Sequence, residues 1–233
     1  YLNDQLYSSF EVNINGNTVG SNRPDVQWDY NGVHHILEVD RTLVNNRKHK
    51  HIIEYMIKCL TIFFTSIDEI KEALLDRCNS GNNSIINVAT LSLDNFRNPQ
   101  YNPQEKKAVF WKPQNCSFIV MTSNLLDGWN SLVTIISKHL SVPYLEIALH
   151  EDYRVFHYNN RFVRVMWDGK WDFYEYGTPF PFELLDQYAN RLIKKRLTID
   201  MIINYAKQLN VDITDPNMYC SNEDAIYFSN HWH

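Results

Sequence analysis

At 233 residues, 44% hydrophobic and 14% aromatic, the chain carries enough apolar material for one large core or two smaller ones, which excludes disorder over most of its length. A net charge of −5 excludes a general nucleic-acid binder, leaves room for a local basic patch, and suits a basic protein partner. No apolar run approaches the roughly 20 residues of a membrane-spanning helix, and the four cysteines (Cys59, Cys78, Cys116, Cys220) lack any Cys-x-x-Cys spacing. Reduced, mostly buried thiols in a cytoplasmic protein without a zinc site are therefore expected.

The first 42 residues read as strands. Ser9 to Asn15 alternates, Asn15-Gly16-Asn17 turns, and Asn31-Gly32 lies between two alternating runs, the strongest short-range signal for a β-hairpin. A two-residue loop there pairs Tyr30 with Val33, Asp29 with His34, Trp28 with His35 and Val26 with Leu37. Extended outward, the register sets Asp25 against Glu38 and Arg23 against Asp40. Like charges directly opposite are unfavourable, so Asp25 and Glu38 call for a cation, a basic partner or a shared proton.

From Lys48 the period changes to that of a helix, with Ile52, Ile53, Met56, Cys59, Leu60, Phe63 and Phe64 on one side. Ser66 followed by Glu69 is a capping box and predicts a second helix through Ile70, Ala73 and Leu74 to about Arg77. Residues 79–84 read as loop, and Asn98-Pro99-Gln100-Tyr101-Asn102-Pro103 as a boundary between modules at 1–98 and 104–233.

In the distal half, Ala108–Trp111 and Ser117–Thr122 read as buried strands. Asp127 is placed to cap a helix presenting Trp129, Leu132, Val133, Ile136 and Leu140. Strands follow at Tyr144–Leu149, Arg154–Tyr158, Arg161–Trp167 and Lys170–Tyr176, with Asn159-Asn160 and Asp168-Gly169 as the turns of a meander. A tight Asp168-Gly169 loop pairs Trp167 with Lys170 and places Phe162, Arg164, Met166, Trp171, Phe173 and Glu175 on one face. Phe182–Leu197 reads as helix, then Thr198 as the cap of Ile199–Leu209. The fold class expected is α+β: an N-terminal β-hairpin and helix module, then an antiparallel sheet packed by C-terminal helices.

Carboxylates converging from adjacent strands can hold Mg2+ for phosphodiester cleavage. Arg23-Pro24-Asp25, the hairpin, Glu38-Val39-Asp40 and a following helix resemble the PD-(D/E)xK nuclease core and the C-terminal modules of bacterial polymorphic toxins. That resemblance implies Asp25 and Glu38 as the metal ligands of the catalytic site, with Asp40 as a candidate third ligand. In the family the last motif position is normally lysine; here it is Asp40, and a carboxylate lacks the lysine's positive charge, leaving Lys48, Lys50 or Lys58 to supply it. The bland reading is a sheet edge neutralised by Arg23 and Arg41, and Arg47-Lys48-His49-Lys50-His51 reads as a solvated face. His49 and His51, two apart, do not share a helix face.

Trp167, Trp171, Phe173, Tyr174 and Tyr176 crowd one hairpin, a density that means core or interface. Leu126-Asp127-Gly128-Trp129-Asn130-Ser131-Leu132, the run Lys170 to Glu183, and Tyr188, Arg191, Ile193, Arg196 and Leu197 together resemble immunity proteins of bacterial polymorphic toxin systems. The resemblance implies a protein without catalysis or cofactor that binds and neutralises a cognate toxin. Trp167, Trp171, Phe173 and Tyr174 would be its anchors, and Asp25, Asp29, Glu38 and Asp40 acidic decoys toward a basic partner. That reading is the leading expectation. A Mg2+-dependent nuclease acting on nucleic acid is the alternative, and a self-assembling structural protein the third.

Overall fold

The computed structural model describes residues 26–30, 33–37, 58–78, 83–88, 91–97 and 99–231. The chain divides into two units, Tyr1–His49 and Lys50–His233. In the first, β1 (Val26–Tyr30) and β2 (Val33–Leu37) form an antiparallel pair in the register that Asn31-Gly32 predicts: Tyr30 with Val33, Asp29 with His34, Trp28 with His35 and Val26 with Leu37. Asp25, Glu38, Asp40, Lys48 and Lys50 lie outside the described residues, as do the strand expected at Ser9–Asn15 and the helix expected over 48–57.

The second unit is α+β, built on one nine-stranded sheet. Its first half contributes β3 (Cys59–Phe63), α1 (Ile67–Cys78), β4 (Asn83–Val88), β5 (Glu105–Trp111) and β6 (Ile119–Ser123). After α2 (Asn130–Leu140) come β7 (Tyr144–Leu149), β8 (Tyr153–Tyr158), β9 (Arg161–Trp167) and β10 (Trp171–Tyr176). A short α3 (Leu185–Tyr188), α4 (Ile199–Gln208) and β11 (Ala225–His231) complete it. The spatial order is β10-β9-β8-β7-β3-β6-β5-β11-β4, with each ladder antiparallel. Residues 99–103 therefore lie within this unit, since β3 and β4 share the sheet with every strand that follows. Among the described residues no helix is long and apolar enough to cross a membrane.

Helices cover the two faces unequally. On one face Ile70, Ala73 and Leu74 of α1 and Leu132, Val133 and Ile136 of α2 pack on Phe63, Phe110, Met121 and Phe228. On the other, Met201, Ile202, Tyr205 and Ala206 of α4 pack on Ile147, Phe156, Val163 and Val165. Central strands buried on both sides become continuous apolar runs: β3 and β6 are buried at every position. Each fully buried Phe or Leu there contributes about 1.5–3 kcal/mol.

Four sequence expectations change. Cys59–Phe63 is the strand β3, not the end of a helix, because a short run buried on both faces carries no period that separates the two states. Phe182–Leu197 breaks into α3 and a 3-10 turn at Ile193–Lys195 instead of one helix. Asp127 does not cap α2 directly: its Oδ1 accepts from Trp129 N at 3.0 Å, and Trp129 itself is the N-cap. Finally, the β9–β10 loop is three residues, Asp168-Gly169-Lys170, with Gly169 at φ +67°. Trp167 consequently pairs with Trp171 and Val165 with Phe173, so Trp171, Phe173 and Glu175 share a face with Val163 and Val165, and Arg164 shares the other with Tyr174. The capping box and the α4 cap stand as expected: Ser66 N donates to Glu69 Oε2 at 3.0 Å and Glu69 N to Ser66 Oγ at 3.3 Å, while Thr198 Oγ1 caps α4 by accepting from Met201 N.

Candidate aromatic docking face

The feature that positions a site is the pattern of β9, where buried Arg161, Val163 and Val165 alternate with more accessible Phe162, Arg164 and Met166. The buried set meets the core under α4. The accessible set lies on the α1/α2 side, beyond the strands those helices cover. Register then assembles rows across the strands. Glu146, His157, Phe162 and Tyr176 form one row, and Ala148, Val155, Arg164 and Tyr174 the next. Tyr153, Met166 and Asp172 form a third.

Two adjoining hollows lie along this face, both lined by Arg164. The smaller, about 460 Å3, has Asn130 and Thr134 of α2 on one side and Tyr174 and Tyr176 on the other. Its floor is aromatic: the His157 ring stands edge-on between Tyr144, at 5.1 Å, and Phe162, at 5.3 Å, and Tyr176 stacks on Phe162 at 5.4 Å. Beneath it Glu146, with only 9% of its side chain exposed, brings Oε2 to 3.2 Å from His157 Nδ1 and accepts from Asn130 Nδ2 at 3.4 Å. Burial first, then the Glu146 charge, pushes the Tyr144 phenol up to about 12. Arg164 donates to Asp172 at 3.2 Å and lies 5.8 Å from the Tyr174 ring centre.

The larger hollow, about 600 Å3, is lined by Leu125, Trp129, His150, Tyr153, Met166 and Trp167 among others. Behind His150, Cys59 Sγ lies 3.2 Å from His150 Nε2 and donates to Leu126 O at 3.1 Å. Desolvation, then the charges of Glu146 and Asp127, push the Cys59 thiol up, and burial pushes His150 down. Burial thus disfavours the charged form of each group. Gly128, beside Cys59, and Trp129 after it both take left-handed backbone conformations. The strain at Trp129 is held by packing, its ring buried 5.5 Å from Phe228.

No family model, curated protein or solved structure matches the chain.

Of the anchors expected from sequence, Trp167 and Tyr174 are 48% and 51% exposed, and Tyr176 is 46% exposed. Trp171 and Phe173 pack against the α4-side core, under Arg154 and Arg196 respectively, with Phe173 5.4 Å from Tyr188. Asp29 belongs to the first unit, in β1 opposite His34. Among the described residues no group of three or more His, Cys, Asp or Glu is arranged to hold a metal ion; the Mg2+ ligands expected at Asp25 and Glu38 lie outside them. Sequence reasoning missed Glu146, His157, Cys59 and His150. For Glu146 a signal exists: it is the one charge inside the otherwise apolar strand Tyr144-Leu145-Glu146-Ile147-Ala148-Leu149.

Proposed function

We propose that the protein is a non-enzymatic binder that docks a basic protein on the face formed by β7–β10, in the manner of an immunity-type protein neutralising a cognate bacterial toxin. One observation carries the reading: Phe162, Arg164, Tyr174 and Tyr176 are presented together on a sheet face that no described helix covers. Tyr, Trp and Arg are the residue types in which binding energy concentrates, because each buries a large area while keeping a polar handle. A contiguous aromatic patch of this kind on a folded surface marks an interaction site more often than chance exposure. The net charge of −5 favours encounter with a cationic partner.

Co-expression with the product of the adjoining reading frame tests the proposal. A stable complex and rescue of growth support it, and Tyr174→Ala with Tyr176→Ala should weaken both. Failure to form that complex contradicts it. Cleavage of DNA or RNA that depends on Mg2+ and is abolished by Glu38→Ala would instead favour the nuclease. Light scattering that rises with concentration of the isolated chain would favour self-assembly.

A further inference from the structure

We infer that the smaller hollow is a receptor for a basic side chain, an arginine or lysine of the docked protein, received between Tyr144, Phe162, Tyr174 and Tyr176 above the Glu146 carboxylate. The inference rests on the docking reading and narrows the chemistry of its partner.

Three observations converge. The first is ring geometry. Phe162 lies 6.1 Å from Tyr174 and 5.4 Å from Tyr176, and those two lie 6.0 Å apart; Tyr176 stacks on Phe162 and Tyr174 is tilted to both, so the three rings form one aromatic cluster with ring faces left open at its rim. The negative faces of such rings attract a cation laid over them. The second is charge. Glu146 is tied to two residues lining the hollow, His157 and Asn130, which holds its carboxylate beneath the floor. Its field reaches one phenol of each hollow: after burial, Glu146 is the largest influence raising Tyr144, in the smaller, and Tyr153, in the larger. An anion entering here would meet that field unfavourably, and a cation favourably. The third is precedent within the molecule. Arg164 already lays its guanidinium over the Tyr174 ring while its charge is met by Asp172. A second, incoming cation would find the same pairing of ring and carboxylate one row away, at Phe162, Tyr176 and Glu146.

The probe is a pair of capped tripeptides, acetyl-Gly-Arg-Gly-amide and its citrulline counterpart, which keeps the length and the planar end group but loses the charge and carries a carbonyl oxygen in place of one terminal NH2. Each is titrated into the full, 15N-labelled chain, with the backbone amides of residues 162, 174 and 176 as reporters. The arginine peptide should give saturable shifts there, and the citrulline peptide should bind at least about fivefold more weakly. Tyr176→Ala should weaken the arginine peptide and Tyr176→Phe retain it. Glu146→Gln should bring the two peptides to equal affinity; should that variant fail to fold, the surface pair Tyr176→Ala and Tyr176→Phe decides. Equal affinity of the two peptides for the unaltered chain, or shifts confined to other residues, overturns the inference. A toxin complex that is weakened by Tyr174→Ala with Tyr176→Ala, in a chain that does not distinguish the peptides, would leave the docking reading standing and remove the cation receptor alone.

Discussion

Arg161 and Glu183 show how a buried charge can be made tolerable. Their side chains are 2% and 0% exposed, yet each polar group is engaged. Arg161 Nε donates to both Glu183 oxygens at 3.0 Å, Nη2 reaches Glu183 and Glu175, and Nη1 donates to Tyr176 O and Gly177 O. Glu183 also accepts from Phe180 N and the Tyr188 hydroxyl, both at 2.9 Å. The network pins the chain segment after β10 to the start of β9, and so holds Tyr176 in place. Removing one partner strands the other: Glu183→Ala should cost about 3–5 kcal/mol in urea unfolding, and a loss below about 1 kcal/mol would contradict this role. Cys59 allows a second test at this scale. With its thiol kept protonated by burial and by Glu146 and Asp127, iodoacetamide at pH 8 should label exposed Cys220 and spare Cys59 until denaturant is added. Rapid labelling of Cys59 in the folded chain would show that the thiol is reactive.

At the scale of elements, α1 owes its start to Ser66 and Glu69. Ser66→Ala should destabilise the fold by about 1 kcal/mol, read from thermal unfolding. The Glu69 carboxyl is held below its ordinary value of 4.5 by the Thr65 hydroxyl first, then by Ser66 N and Oγ. Its folded pKa lies below its unfolded one, so its contribution is complete above about pH 4.5 and lost as pH falls through the folded value. Amide protection factors at residues 67–70, corrected for the intrinsic slowing of exchange in acid, should fall in that acid range relative to pH 7, and fall further in the wild type than in Glu69→Gln.

Which elements the sequence makes legible follows from their surroundings. The first hairpin, α1 and α4 carry their signals locally, in Asn31-Gly32, Ser66-x-x-Glu69 and Thr198. The strand β3 does not, because burial on both faces erases its alternation. The final strand β11, paired between β5 and β4, went unforeseen for another reason: Ser229, Asn230 and His231 give its polar end no strand-like pattern, and its partners are more than 100 residues distant. In the β9–β10 hairpin a single extra loop residue exchanged the faces, moving Trp171 and Phe173 inward and leaving Tyr174 and Tyr176 outward. The pairs Glu146–His157 and Cys59–His150 exist only through strand pairing and loop packing, so no spacing in the sequence announces them.

For the whole molecule, the asymmetry of helix cover is what turns a fold into a candidate binder. On the α4 side the apolar cluster runs from β5 and β6 across to β9, while on the other side the helical cover stops short of β8–β10 among the described residues. That leaves aromatic and charged side chains at the wide end of an antiparallel sheet, where one face packs and the other meets solvent or a partner. Truncating Tyr174 and Tyr176, each about half exposed and packed on Phe162, should cost about 1–2 kcal/mol in urea unfolding and leave the chain folded. The direct measurement is the dissociation constant of the complex with the adjoining reading frame's product, for the unaltered chain and for Tyr174→Ala/Tyr176→Ala. Loss of two hot-spot rings at about 2 kcal/mol each predicts a weakening of at least about 100-fold in a chain that remains folded, whereas unchanged affinity in a properly folded double variant would contradict the assignment of β7–β10 as the docking face.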